Sequence, residues 1–339
     1  MNKIYTAWVP TNIALIKYWG KQNEALQIPW NDSLSMSLSL GTKTSARVRK
    51  NKEHTFFFAG QERKLPQDEA FLAKPLKHLQ YLAQSFGFKE KLEIHSENTF
   101  PAACGIASSA SGLGALTLAA MACWLQVEDQ SELEKQCSLE QLAQLSRLGS
   151  GSSCRSFWGG FVHWAVEEDK KSCKISQVLP AEHWPSLCDS VVLFSTEEKK
   201  ISSSLGHKNV LTSPLFLPRL ERIPDRLSLL LQALSNKNLD QLGPVIEDEA
   251  LEMHAVMMTA SPALFYWGEQ VSRFLAYLRR KRRESQLPVY FTMDAGPNVH
   301  LIHEKSEQDT ILKWVKEYDP TLQILSAEIG QGPSLVTSF

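Results

Sequence analysis

The run from Gly112 to Leu125 is almost uninterrupted in apolar character, and a helix made from it must be enclosed by lipid or by the rest of its own fold. It falls short of the ~20 residues a helix needs to cross a bilayer, and it opens with Gly112 and Gly114. It therefore predicts a core helix. At 339 residues the chain is longer than the roughly 250 to 300 at which one hydrophobic core stops growing, so two domains are expected. With 43% apolar and 22% charged residues, global disorder is excluded.

No repeat or low-complexity tract interrupts this pattern. Strand-like runs dominate the start, at Ile4–Val9, Ser35–Leu40, Ser45–Lys50 and Thr55–Phe58. A helix is predicted from Asp68, with Gly87 as its terminator and Pro75 in its early turns. Then come a strand at Lys91–His95, the core helix from about Ser109, a helical run at Leu139–Leu148 and a strand at Phe161–Trp164. The two prolines Pro180 and Pro185 put a boundary near residue 185, giving domains at 1–185 and 186–339. Beyond it, helices are expected at Asp225–Leu234, Asn238–Met257, Pro262–Arg283 and Gln308–Glu317. Strands are expected at Ser190–Phe194, Val289–Asp294, Val299–His303, Leu322–Ser326 and Ser334–Thr337. Helices and strands mix without regular βαβ alternation, which favours an α+β architecture over a doubly wound sheet.

Charge narrows the function. Lys plus Arg number 36 against 37 Asp plus Glu, a formal charge of −1, so no net positive field gathers nucleic acid or anionic lipid. The basic run Arg279–Arg283 closes a predicted helix and complements its dipole without a partner. Met1–Thr6 carries one cation and no apolar segment, so no secretory signal is expected and the protein is read as cytoplasmic. Cys104, Cys123, Cys137, Cys154, Cys173 and Cys188 form no C-x-x-C pair, which suits reduced thiols better than disulfides or zinc. His300 and His303, three apart on a predicted strand, fall on opposite faces and make no metal pair.

Four segments carry chemistry. Pro101–Gly114 is a loop of small residues opening a helix, where free N–H groups and serine hydroxyls suit a phosphate; a small-residue helix packed on a sheet has the same composition. It has neither the P-loop lysine nor a third dinucleotide-loop glycine. Gly149–Ser156 sets Arg155 behind glycines and serines, fitting an acidic ligand or a surface carboxylate. Asn12–Lys21 places Lys17 and Lys21 around Tyr18 and Trp19, fitting either an anion pocket or lysines draped over a half-buried indole. Asp294 ends a strand before Gly296-Pro297, where it serves as a positioned base or as a turn cap.

In order and spacing, six motifs resemble those of the diphosphomevalonate decarboxylases: Asn12–Lys21, Pro29–Ser35, Gly105–Gly112, Gly149–Ser156, Met253-His254-Ala255 and Asp294–Asn298. The resemblance implies a GHMP-kinase fold, with an N-terminal domain like ribosomal protein S5 domain 2 and a ferredoxin-like C-terminal α/β sandwich around a shared cleft. It also implies a homodimer that uses ATP and Mg²⁺ to convert mevalonate 5-diphosphate to isopentenyl diphosphate, ADP, phosphate and CO₂. By the same resemblance Asp294 deprotonates the 3-hydroxyl, Arg155 holds the carboxylate and Lys17 neutralises the transferred phosphoryl group. Tyr18, Lys21, Ser150, Ser152 and Ser203 contact substrate, mainly its diphosphate, while Gly105, Ala107, Ser108 and Ser109 hold the ATP phosphates. No side chain is implied as a direct metal ligand.

Three positions depart from the family pattern. Trp30 stands where a small residue is usual, Asn98-Thr99 where Asn-Asn is usual, and Gly206-His207 where Gly-Met is usual. The rival activities are decarboxylation of mevalonate 5-phosphate, against which Lys21 argues, and a GHMP-type mevalonate kinase. An RNA-binding module of S5-like fold is the rival from another class, and the balanced charge speaks against it.

Overall fold

The computed structural model describes residues 3–50, 53–101, 108–169, 171–195 and 203–336; side chains are described for these except Ser108, Ser203 and Ser204. Among the described residues the strands form an eight-stranded sheet, a four-stranded sheet and a two-stranded ribbon. The expected α+β architecture is borne out.

The large sheet is built on two long antiparallel strands, Tyr5–Ile16 and Ser33–Arg49. The second is continuous through the stretch expected to divide it, because Gly41 lies opposite Pro10, where the two backbones approach too closely for a Cβ. One part of Ser33–Arg49 pairs with Phe161–Val166 and the other with Lys91–Asn98, so a single strand serves two neighbours on the same edge. The strand Cys173–Leu179, missed in the sequence, adds beyond Phe161–Val166.

The apolar run forms the helix Ser108–Leu125 across this sheet, flanked by Glu69–Phe86 and Leu139–Gly149. A Cβ at Gly114 would stand 2.8 Å from Val9, so the glycine lets the helix settle against the strand. Glu69–Phe86 ends as expected at Gly87, whose φ of 76° is the left-handed conformation of a helix terminator. Leu139–Gly149 begins with a full capping box between Ser138 and Gln141.

The four-stranded sheet runs Val289–Thr292, Val299–Glu304, Leu187–Leu193, Gln323–Glu328, all antiparallel, in the β-α-β-β-α-β arrangement of ferredoxin-like units. Helices Glu269–Ser285 and Gln308–Tyr318 cover one face, joined through Phe274, Leu278, Ile311 and Val315. Helices Phe216–Ser235 and Leu239–Thr259 meet the other face in a core that also takes Ile13, Leu15, Leu34 and Met36 from the large sheet. The two lobes thus share a hydrophobic core. The strand Ser334–Val336 returns to pair with Thr6–Trp8 on the large sheet.

Two expected helices shift. The one expected at Asp225 already starts at Phe216 and runs through Pro224. The one expected at Pro262 begins only at Glu269, because Leu264 and Tyr266 turn into a cluster with Trp19 and Met257, and Gly268 caps the start. Three cations of the basic run at 279–283 are paired internally: Arg282 donates to Glu247 at 2.7 Å, Lys281 to Glu317 at 2.9 Å, and Arg279 lies 3.5 Å from Glu247. No single helix among the described residues is long and apolar enough to cross a membrane.

Candidate active site

Lys17 sits just past the end of the strand Tyr5–Ile16, where the ladder slips register between Ala14 and Ile16. Its backbone is held from the other lobe. Glu249 accepts the Lys17 N–H at 3.0 Å, and Arg219 donates to the Lys17 carbonyl at 3.1 Å, as does Asn31 at 3.1 Å. Arg219 and Glu249 are paired to each other and fully enclosed, and Arg226 donates to the second Glu249 oxygen at 2.8 Å. With its backbone so fixed, Lys17 directs Nζ to the Ala14 carbonyl at 2.6 Å and to Asp294 Oδ1 at 2.8 Å.

Asp294 follows the strand Val289–Thr292, and its carbonyl accepts Gly296 N–H at 2.7 Å and His254 Nε2–H at 3.1 Å. The backbone is thereby pinned while the carboxylate stays 28% exposed, against 1% for Lys17, so the acid opens on the cleft and the lysine stands behind it. Burial raises the Asp294 pKa, but Lys17 beside it, with His300 and Arg155 further off, more than offsets this and holds the carboxyl below its ordinary range. Burial lowers the Lys17 pKa, and Arg155 adds to that, against the pull of Asp294 and Glu249.

Arg155 comes from the short 3₁₀ turn Gly151–Ser156 and is buried. It donates to Ser33 Oγ at 2.6 Å and to Asn12 Oδ1 at 3.4 Å; the Asn12 amide is itself oriented by donating to Ser156 Oγ at 2.8 Å. Its Nε is buried without a hydrogen-bond partner, so the guanidinium keeps unspent donor capacity. Desolvation lowers its pKa, opposed in part by Cys154 and Asp294.

Lys17, Arg155 and Asp294 line one cleft together with Tyr18, Lys21, Ser150, Ser152 and Ser109. Of the other site residues expected from sequence, Ser108 and Ser203 start helices but their side chains lie outside the described residues, as do Gly105 and Ala107 altogether. The Tyr18 hydroxyl is buried and unpartnered, and burial raises its pKa. Burial lowers the Lys21 pKa; Glu24 opposes this, and Lys74 and Lys208 reinforce it.

The cleft also takes Lys74, His207 and Met253. Lys74 gave no signal, since a lysine inside an amphipathic helix looks like any solvated one. Met253 and His207 were visible only within motifs, and Asn12, Ser33, Arg219 and Glu249 had no assigned part. Trp30 packs edge-on against Phe216, with ring centres 6.1 Å apart, and does not line this cleft. His300 and His303 do face different partners, Asp189 at 2.6 Å and Ser190 at 2.9 Å.

A buried cation and carboxylate at the mouth of a helix-headed cleft suit group transfer to or from an anionic substrate. Comparison with known proteins narrows this. Residues 9–175 match the family model of the diphosphomevalonate decarboxylase-like N-terminal domain, and residues 190–336 that of the mevalonate 5-diphosphate decarboxylase C-terminal domain. The diphosphomevalonate decarboxylase of Candida albicans is 32% identical over 97% of this chain and 98% of that protein. That of Bos taurus is 31% identical over 92% of this chain and 79% of its own length. Among solved structures, mevalonate diphosphate decarboxylase from Staphylococcus aureus superposes with a TM-score of 0.88 at 32% identity, covering 99% of both chains. MDDEF in complex with MVAPP, AMPPCP and magnesium gives 0.87 at 33% identity, again over 99% of both. The likeness extends through both lobes and the cleft between them, on the GHMP-kinase fold, and on that ground the chain belongs to the diphosphomevalonate decarboxylase family.

Proposed function

We propose that this chain carries out the ATP-dependent decarboxylation of mevalonate 5-diphosphate to isopentenyl diphosphate, releasing ADP, phosphate and CO₂, a step that supplies isoprenoid precursors. The observation that carries the residue assignment is the Lys17–Asp294 contact at 2.8 Å, with Arg155 lining the same cleft. The exposed side of Asp294 accepts the proton of the substrate's 3-hydroxyl as that oxygen attacks the γ-phosphorus of ATP. Such positioned proton transfer is worth on the order of 10² to 10⁴ in rate. A carboxylate paired with Lys17 is a weak base at rest. As negative charge gathers on the transferring phosphoryl group, the field of Lys17 is shared with it, and the affinity of Asp294 for the proton rises.

Once the 3-oxygen carries phosphate it is a good leaving group. Its C3–O bond breaks with both electrons going to phosphate, and the C1–C2 pair becomes the new alkene as CO₂ departs. Arg155 holds the carboxylate through this step, its guanidinium kept in plane by Ser33 and Asn12. Tyr18, Lys21, Ser150, Ser152 and Ser203 receive the diphosphate end. Gly105, Ala107, Ser108 and Ser109 hold the ATP phosphates; Ser109 opens onto the same cleft from the N-terminal end of an 18-residue helix, where donors and dipole suit phosphate. Mg²⁺ would be held by the nucleotide's own phosphates, whose charge it would neutralise.

We assign the two lobes to 1–185 and 186–339, the assembly to a homodimer and the location to the cytoplasm. The five described cysteines, free and buried, suit a reducing compartment. The test is release of ADP and CO₂ from ATP, Mg²⁺ and either mevalonate 5-diphosphate or the monophosphate. Equal release of both products from the diphosphate is expected. ADP without CO₂ would make the protein a kinase, and preference for the monophosphate would reassign the substrate.

A further inference from the structure

His207 lies in the short helix Ser203–Asn209, 9% exposed, with its ring between Tyr18 and Trp19 at centre distances of 4.6 Å to each. The seating is tight. A Cβ on the preceding Gly206 would stand 2.3 Å from the Trp19 indole, so only glycine lets the helix come this close. The ring's rotation is fixed by a hydrogen bond: Gly20 N–H donates to His207 Nδ1 at 2.9 Å.

That bond also fixes the tautomer. A nitrogen that accepts carries no hydrogen, so the proton resides on Nε2. Protonating the ring would set an N–H at Nδ1 against the Gly20 N–H, two donors facing each other. Burial, together with Lys21 and Lys74, holds the ring neutral. The imidazole lines the cleft, and no described residue accepts from Nε2. A locked neutral donor thus lines the cleft beside two cations, Lys21 and Lys74.

We propose that His207 is a substrate-binding and specificity-determining residue, donating Nε2–H to the diphosphate of the substrate and favouring diphosphate over monophosphate. Lysines supply charge from flexible stems. A fixed ring donor adds direction, and its hydrogen is wasted unless an acceptor oxygen reaches that depth.

This proposal rests on mevalonate 5-diphosphate being the substrate, so wild-type turnover is measured first; absence of turnover would fail that reading and leave no substrate to compare. His207→Met removes the donor at similar volume, and His207→Gln returns an N–H near the Nε2 position. Steady-state kinetics are run on both against mevalonate 5-diphosphate and ATP, with mevalonate 5-phosphate as a competitor. His207→Met should raise KM for the diphosphate about tenfold or more, the scale of a hydrogen bond to a charged acceptor, with kcat within about twofold. KM for ATP and inhibition by the monophosphate should hardly move, and His207→Gln should recover most of the loss. In ¹⁵N-labelled wild-type protein the Nε2–H resonance, assigned by its loss in His207→Met, should shift when the diphosphate is added without ATP. An unchanged KM in His207→Met, equal losses in the Met and Gln variants, or an unshifted resonance would each overturn the proposal.

Discussion

The separate costs of neutralising Lys17 and Asp294 should add up to more than the cost of neutralising both at once. In Asp294→Asn the Lys17 ammonium stays enclosed with only the Ala14 carbonyl as a strong acceptor. Breaking a buried pair in this way costs about 3–5 kcal/mol when both groups are dry. Asp294 opens on the cleft, so about 2–3 kcal/mol is the expectation here. Lys17→Met leaves a carboxylate that still meets water and the field of Arg155, which puts its cost lower, at about 1–2 kcal/mol. The variant with both changes leaves no unpaired charge, so its loss should fall short of the sum by at least about 1 kcal/mol. Urea denaturation of the four proteins at neutral pH gives the cycle, and closure within about 0.5 kcal/mol would refute the coupling.

The sign of the pH effect follows. Asp294 has its folded pKa below the ordinary 3.8, so its contribution is present above that value and lost as pH falls through the folded pKa; the coupling should fade with acid. In the assay, Asp294→Asn should lose about 10² to 10⁴ in turnover, with ATP affinity within about twofold. Wild-type turnover in that variant would remove Asp294 from the mechanism.

Ser33→Ala takes from Arg155 its 2.6 Å acceptor and should lower stability by about 1.5–3 kcal/mol, with a fall in kcat/KM; unchanged kinetics would mean that Arg155 is held without it. Glu249→Gln leaves Arg219 and Arg226 without their shared carboxylate and should cost about 3–5 kcal/mol in urea, with a loss of turnover because the Lys17 backbone is released. His78 is buried, donates Nε2–H to Thr117 at 2.7 Å and has its pKa lowered to about 4 by burial. A neutral buried imidazole gives stability that is complete above its unfolded pKa of 6.5 and lost as pH falls toward 4, roughly 3 kcal/mol over that window. His78→Gln should flatten this slope in urea titrations between pH 7 and 4; an unchanged slope would assign it to other groups.

Much of the architecture was legible because it is local. Gly87 ended its helix, Asn238 capped the helix Leu239–Thr259 by accepting from Gln241, and the apolar run from Gly112 became the helix at the centre of its lobe. Long-range closeness is what sequence periodicity does not encode. Ser33–Arg49 was read as two strands because the backbone approach at Gly41 involves a residue far away in the chain. Lys17 and Asp294, 277 positions apart, were joined by resemblance to a family rather than by spacing. Lys74 and the Arg219–Glu249 clamp stayed hidden for the same reason: their importance lies in what stands opposite, and each looks locally like an ordinary helix charge.

The core that holds Ile13, Leu34 and Met36 against Leu230, Leu242 and Ile246 bears on how such an enzyme could be re-engineered. Swapping the C-terminal half for that of a relative about one-third identical would set two independently drifted apolar faces against each other, with the mismatch felt as voids or overlap. Hybrids should regain solubility and a single melting transition only when the residues on both sides of this seam come from one parent, wherever the crossover in the gene is made.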